Sequence, residues 1–143
     1  MKQELKNKLA FLADKYEVAE FIMDDPIQFP HRYTGKADIE ISALVASWIA
    51  TGNRKAIIKS GDRIDRELFS NAPYRYILSE EWKKYRGVKT SFYRYYSWND
   101  FYLLCQALYA AYQEHEDLES HLCHSLSSGT PLERLQSVFG HIN

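Results

Sequence analysis

Two short polar runs carry the residue types best able to hold an anion. Gln28, His31, Arg32 and Tyr33 stand in an aromatic, proline-containing loop, and Asn53, Arg54 and Lys55 follow a Thr51-Gly52 turn. Free backbone N–H groups at a helix start attract anions, and an arginine beside them adds a two-pronged contact to a phosphate. The apolar run between the clusters, read as one helix, sets its ends about 20 Å apart at a rise of about 1.5 Å per residue. They therefore read as two sites rather than one. A plainer task also fits: Arg32 and Asn53 could simply satisfy loop carbonyls.

A third run, from Trp82 to Trp98, holds Lys83, Lys84, Arg86, Lys89 and Arg94 with no Asp or Glu among them. Interleaved with these cations are Tyr85, Phe92, Tyr93, Tyr95 and Tyr96. Bases stack on aromatic faces while cations neutralise phosphates, so this mixture suits a surface for single strands or for a nucleic-acid backbone. The candidate nucleic-acid residues are Asn53, Arg54, Lys55, Lys83, Lys84, Arg86, Lys89, Tyr93 and Arg94, with Gln28, His31, Arg32 and Tyr33 as a separate loop site. The alternative is that the rings anchor an irregular connection on the core while the cations stay solvated.

Other chemistry finds less material. His115, Glu116, Asp117, Glu119, His121, Cys123 and His124 are metal-ligating types, and His121 and His124 share a helical face at i, i+3. Two imidazoles do not make a site, and zinc needs a third ligand, so no metal is expected and the carboxylates are assigned to the helix dipole. No nucleophile elbow or Gly-rich phosphate loop occurs, so no catalytic set and no cofactor are expected.

The composition bounds what can hold these residues in place. The chain has 143 residues, 45% hydrophobic and 15% aromatic, enough for one core and one domain. Its 26% charged residues nearly cancel to a net charge of −1, so any nucleic-acid surface is a local patch. Cys105 and Cys123 lack the spacing of a zinc site or disulfide framework, and no run is long and apolar enough for a signal peptide or a membrane span. A cytoplasmic protein with no membrane partner is expected.

Hydrophobic spacing gives an all-α reading, a single bundle of about seven helices. Leu5, Leu9, Leu12 and Tyr16 form one stripe that must dock, and a short turn around Val18, Phe21 and Ile22 stops before Asp25-Pro26. From Ala37 to Ala50 apolar residues occupy nearly every face, which predicts a central rod buried all round, with Asp38 and Glu40 complementing its dipole. The next helix spans about 53–69, with Gly61 on its apolar stripe as a point of close approach. Pro73 suits the first turn of a short helix. Ser97 to Asp100 form a capping box, Thr130 to Glu133 a second, and Leu118, Leu122 and Leu126 mark a helix between them. The short, all-aromatic run from Phe92 to Tyr96 comes nearest to a strand. The last stripe, Leu132, Leu135, Val138 and Phe139, ends just before Asn143, so the chain reads as the amino-terminal part of a longer protein. Self-association through an apolar face left open is a second expectation.

The phrases Asp25 to Tyr33, Asp38-Ile39-Glu40-Ile41, Gly52 to Lys55, Ser70 to Tyr74 and Phe92 to Tyr95 resemble an uncharacterised bacterial family of conserved hypothetical proteins, a domain of unknown function, over most of the chain. More distantly, an apolar helix, a polar turn and a Lys/Arg-bearing helix are similar to the opening helices of the helix-hairpin-helix DNA glycosylases. That resemblance implies that Thr51, Asn53 and Arg54 face nucleic acid. The glycosylase hairpin and its catalytic aspartate have no counterpart here. The expected function is thus a non-catalytic helical module contacting nucleic acid, part of a glycosylase-like protein; the alternative is a structural or protein-interaction module with no nucleic-acid role.

Overall fold

Local signals fix most helix boundaries, and long-range contacts decide what the helices bury. The computed structural model describes residues 2–125 and the side chains of residues 2–122. In chain order the elements are α1 (Lys2–Tyr16), α2 (Ala19–Met23), two 3-10 turns (Pro26–Gln28 and Pro30–Arg32), α3 (Lys36–Trp48) and α4 (Arg54–Arg63). A π-helical turn (Ile64–Leu68) continues α4 and leads to α5 (Pro73–Ser79) and a 3-10 turn (Glu81–Tyr85). The strands β1 (Ser91–Tyr93) and β2 (Tyr96–Ser97) pair antiparallel before α6 (Trp98–Glu114) and α7 (Leu118–Ser125). The architecture is all-α apart from this small hairpin, and no helix among the described residues is long and apolar enough to cross a membrane. The expected second capping box and final stripe lie outside the described residues.

The Ser97 capping box forms as read: Ser97 Oγ accepts from the Asp100 N–H at 3.2 Å, and the Asp100 carboxylate accepts from the Ser97 N–H at 2.6 Å. Pro73 opens α5, and Asn53 caps α4 by accepting from the N–H groups of Lys55 at 3.0 Å and Ala56 at 3.4 Å. The core joins Ile41, Val45 and Ile49 of α3 to Ile57, Ile64, Phe69, Ile77, Trp82 and the inner face of α6. Phe101 is its centre, with the Phe92 ring stacked 4.7 Å away. Such packing of large rings supplies most of the driving force.

Four departures from the sequence reading have physical causes. α1 forms but buries none of its residues: Leu5, Leu9 and Tyr16 of its stripe are exposed and Leu12 is half-buried, with Tyr16 meeting the Phe21 ring edge to face at 5.5 Å. α3 is not enclosed on every side, because Ala43, Ser47 and Ala50 are exposed; these small residues leave a groove rather than fill a contact. Asp38 and Glu40 serve helices other than their own. Asp38 accepts from the Tyr74 N–H in the first turn of α5 at 2.9 Å, and Glu40 accepts from the N–H groups of Leu118 at 2.9 Å and Glu119 at 3.3 Å at the start of α7. Gly61 is a close approach, but to a ring of the loop rather than to a helix: a Cβ there would stand 3.0 Å from Cδ2 of Phe29 and nearer still to other ring atoms.

Several hydroxyls make the fold sensitive to alkali. Burial raises the pKa of Tyr33, Tyr76 and Tyr112, and the hydrogen bonds from Tyr33 to Asp65 and from Tyr112 to Glu40 act in the same direction. A phenol whose folded pKa lies above its unfolded one stabilises the fold fully below the unfolded value, and that contribution is lost as pH rises through the folded value. Urea denaturation across pH is therefore expected to show stability unchanged by these groups up to about pH 10 and falling above it. Stability that rose with alkali would contradict this.

Candidate nucleic-acid interface

The backbone itself brings two of the sequence-predicted clusters together. Gly52 has φ +111°, a conformation that favours glycine, and it turns the chain from α3 into α4. Arg94 sits at the tip of the β1–β2 hairpin with φ +52°, and its guanidinium covers this turn. A Cβ on Gly52 would stand 2.7 Å from Arg94 Cζ. One residue earlier, the Tyr93 hydroxyl donates to the Thr51 carbonyl at 3.2 Å. Arg94 is thus brought beside the turn that leads into Asn53, Arg54 and Lys55, although the hairpin lies some forty residues further along the chain.

The remaining candidates divide by what they touch. Arg54 lies over the Phe21 ring at 5.7 Å, Lys84 over Tyr85 at 5.2 Å and Arg94 over Tyr95 at 5.8 Å, none of them in an ion pair among the described residues. Lys55, Arg86 and Lys89 are likewise exposed, with no ion pair among the described residues. Lys83 differs, because it pairs with Glu80 across one helical turn. Tyr93 is buried against Thr51, so its ring is not a stacking platform. Tyr95, which the candidate list omitted, is 82% exposed and offers the free ring instead. Its place at a hairpin tip is the signal that a helical reading of the chain hid.

The loop site is a structural lock. Asp65, only 3% exposed, is turned inward by the π-helical turn, in which the Phe69 N–H bonds to Ile64 O. Tyr33 donates a short hydrogen bond to one carboxylate oxygen, and Arg32 Nη1 reaches the other at 3.0 Å. The same Nη1 lies 2.7 Å from Asp62, and Nη2 lies 2.7 Å from Gln28 Oε1. Gln28 in turn donates to the Met23 carbonyl at 2.8 Å. Gln28, Arg32 and Tyr33 are therefore spent on fastening the loop to α4, while His31 is exposed.

The early loop does approach the α3–α4 turn, contrary to the expected separation, but with different residues. Asp25, Pro26, Ile27 and Pro30 form one wall of a groove of about 420 Å³ whose other wall includes Ala46, Ala50, Gly52, Arg54 and Ile57. It is an apolar concavity with an arginine at its rim. The chain doubles back because Phe29 seats on Gly61 and Arg32 stacks on Phe29 at 4.6 Å. The arrangement can hold an anion beside a flat apolar group.

Gly52→Ala tests this joint. The side chain is expected to cost about 1–2 kcal/mol for the left-handed backbone and to displace the Arg94 guanidinium. Urea denaturation reads the first effect; a variant as stable as the parent would contradict it.

No curated protein and no solved structure matches the chain. The chain belongs to the family described as Protein of unknown function (DUF2400), whose model matches residues 25–143, from the groove-lining Asp25 onward.

Proposed function

We propose that the chain is a non-catalytic helical module, part of a glycosylase-like protein, which contacts the backbone of nucleic acid through the Thr51 to Lys55 turn and the Arg94 hairpin. The observation that carries this reading is the seating of Arg94 on the Gly52 turn, which brings a hairpin cation beside the start of α4. Arg86 and Lys89 extend the charge, and Tyr95 adds an exposed ring for base stacking. The apolar groove beside Arg54 favours single strands, whose bases are free to enter it. In sequence, the order of an apolar helix, a polar turn and a Lys/Arg-bearing helix resembles the opening helices of the helix-hairpin-helix glycosylases, a resemblance that would set the same turn toward nucleic acid.

Fluorescence anisotropy with labelled single- and double-stranded oligonucleotides, at about 50 mM and about 200 mM salt, tests the reading. Binding that weakens steeply with salt, and is tighter for single strands, is expected. Absence of binding at the lower salt would end it.

The second reading, a structural or protein-interaction module, has one observation in its favour: the exposed stripe of α1, with Leu5, Leu9 and Phe11 each more than half exposed. Light scattering that shows concentration-dependent self-association, together with no oligonucleotide binding, would favour it over the first.

A further inference from the structure

The connection between α6 and α7 gathers three metal-ligating side chains that sequence spacing does not group. Glu114 is the last residue of α6, His115 is its C-cap with an extended backbone (φ −139°, ψ 152°), and His121 stands on α7. One ligand atom from each lies within 4.8 Å of the others. The two imidazole rings meet edge to face at 5.1 Å. The reversal at His115 makes this possible, since it folds α7 back so that His121 comes beside the end of α6.

We infer that Glu114, His115 and His121 form a binding site for a divalent metal ion of the zinc class. Four observations carry the inference. First, the donor set is two imidazoles and one carboxylate, which suits zinc and its neighbours in the first transition row rather than calcium or magnesium. Second, donors around a tetrahedral zinc stand about 3.4 Å apart at metal–ligand distances of about 2.1 Å, so modest side-chain rotation closes the observed spacing. Third, Nδ1 of His121 is buried and has no hydrogen-bond partner among the described residues, a cost that native proteins rarely carry without a reason. Fourth, the surroundings favour a cation. Glu114, Glu116, Asp117 and Glu119 lie within this stretch and Glu40 reaches it from α3, while the Lys36 ammonium pairs with Asp117 and Glu119.

Asp117, Glu119 and Glu40 are already engaged elsewhere. Asp117 accepts from the Ser120 N–H at 2.6 Å and from Lys36 Nζ at 2.7 Å, and these contacts, Lys36 foremost, hold its pKa well below the usual range. Glu119 shares the same ammonium at 2.7 Å. Glu40 receives the Tyr112 hydroxyl at 3.0 Å as well as the Leu118 and Glu119 N–H groups. Glu114 is the exposed acid that stands beside the two rings. The sequence alone pairs His121 with His124; the fold instead supplies His121 with partners from the preceding helix. A metal bound here fastens α7 to the end of α6 and leaves one tetrahedral position to solvent.

Isothermal titration calorimetry of the tag-free chain with zinc chloride, and separately with magnesium chloride, tests the site. One equivalent of zinc is expected to bind, with no heat from magnesium. His115→Ala, His121→Ala and Glu114→Gln are each expected to weaken zinc binding by about tenfold or more. Circular dichroism without metal separates a lost ligand from a lost fold, and Glu114→Gln serves as the variant least able to disturb folding. Cobalt(II) in place of zinc is expected to give the intense visible absorption of tetrahedral coordination. No zinc binding by the parent chain, magnesium competing with zinc, or zinc binding unchanged in all three variants would overturn the inference.

Discussion

Arg32→Ala is expected to destabilise the chain by about 3 kcal/mol, because it leaves the Asp65 carboxylate buried with one partner fewer. The Asp65 side chain is 4% exposed and the Arg32 side chain 29%, so the pair is protected from water on the acid's side. That asymmetry makes the arginine the member whose loss matters. Removing it orphans a charge that cannot reach solvent, whereas Tyr33 alone can satisfy only one of the two oxygens. In a thermal melt the loss corresponds to a fall in Tm of about 10 °C for a chain of this size. Arg32→Lys is expected to fall between, since an ammonium keeps the charge but cannot bridge Asp62, Asp65 and Gln28 as the guanidinium does. A loss of less than about 1 kcal/mol for Arg32→Ala would mark the contact as an ordinary surface pair and contradict its role as a lock.

Reversing charge at both Arg54 and Arg94 is expected to reduce affinity for a single-stranded oligonucleotide by about 100-fold or more at low salt. Both residues are exposed and neither has an acidic partner among the described residues, so Arg54→Glu with Arg94→Glu is expected to leave the circular dichroism spectrum unchanged. The two residues flank one turn, and a strand that lies across it meets both. The milder Arg54→Ala with Arg94→Ala removes two phosphate contacts without adding repulsion, and the slope of log affinity against log salt is expected to become shallower by about two. Lys83→Glu is the control. Glu80 already compensates that lysine, so little change in affinity is expected. Equal losses for Lys83 and for the arginine pair would show that net charge, rather than this face, governs binding.

Short-range signals made much of the helical framework legible. The Ser97 capping box and Pro73 at the start of α5 are each decided by residues within one turn of each other, and both form as read. What lay beyond reach was contact between distant residues. Asp65 reads as one more solvated charge on a helix rich in them; only the π-helical turn, and the arrival of Arg32 from the loop, show that it points inward. The apolar count of α3 suggested burial on every side, but Ala43, Ser47 and Ala50 are small enough to line a groove without being covered. The stripe of α1 has sound helical periodicity and still buries none of its residues, because periodicity reports a face and not what lies against it.

The candidate site shows the same division. Residue types picked out the turn and the Lys83 to Arg94 run as two stretches, and the structure sets Arg94 of the second on Gly52 of the first. Gly52 was legible as a helix stop but not as the seat of Arg94, since nothing near either residue encodes that contact. Tyr93 and Tyr95 are chemically identical and two positions apart; the hairpin buries the first and exposes the second. Regular alternation would put positions two apart on one face; the left-handed Arg94 between them ends the strand and turns Tyr95 outward at the tip, and a three-residue strand is too short to announce itself.

Photocrosslinking tests the joined surface most directly. A single-stranded oligonucleotide carrying 4-thiothymidine, irradiated with the chain at low salt and mapped by mass spectrometry, is expected to mark peptides containing Tyr95 and the Asn53 to Lys55 turn, and to mark neither once Arg54 and Arg94 are reversed. Crosslinks confined to α1, or none at all under conditions where a known single-strand binder is labelled, would contradict the assignment of this face to nucleic acid.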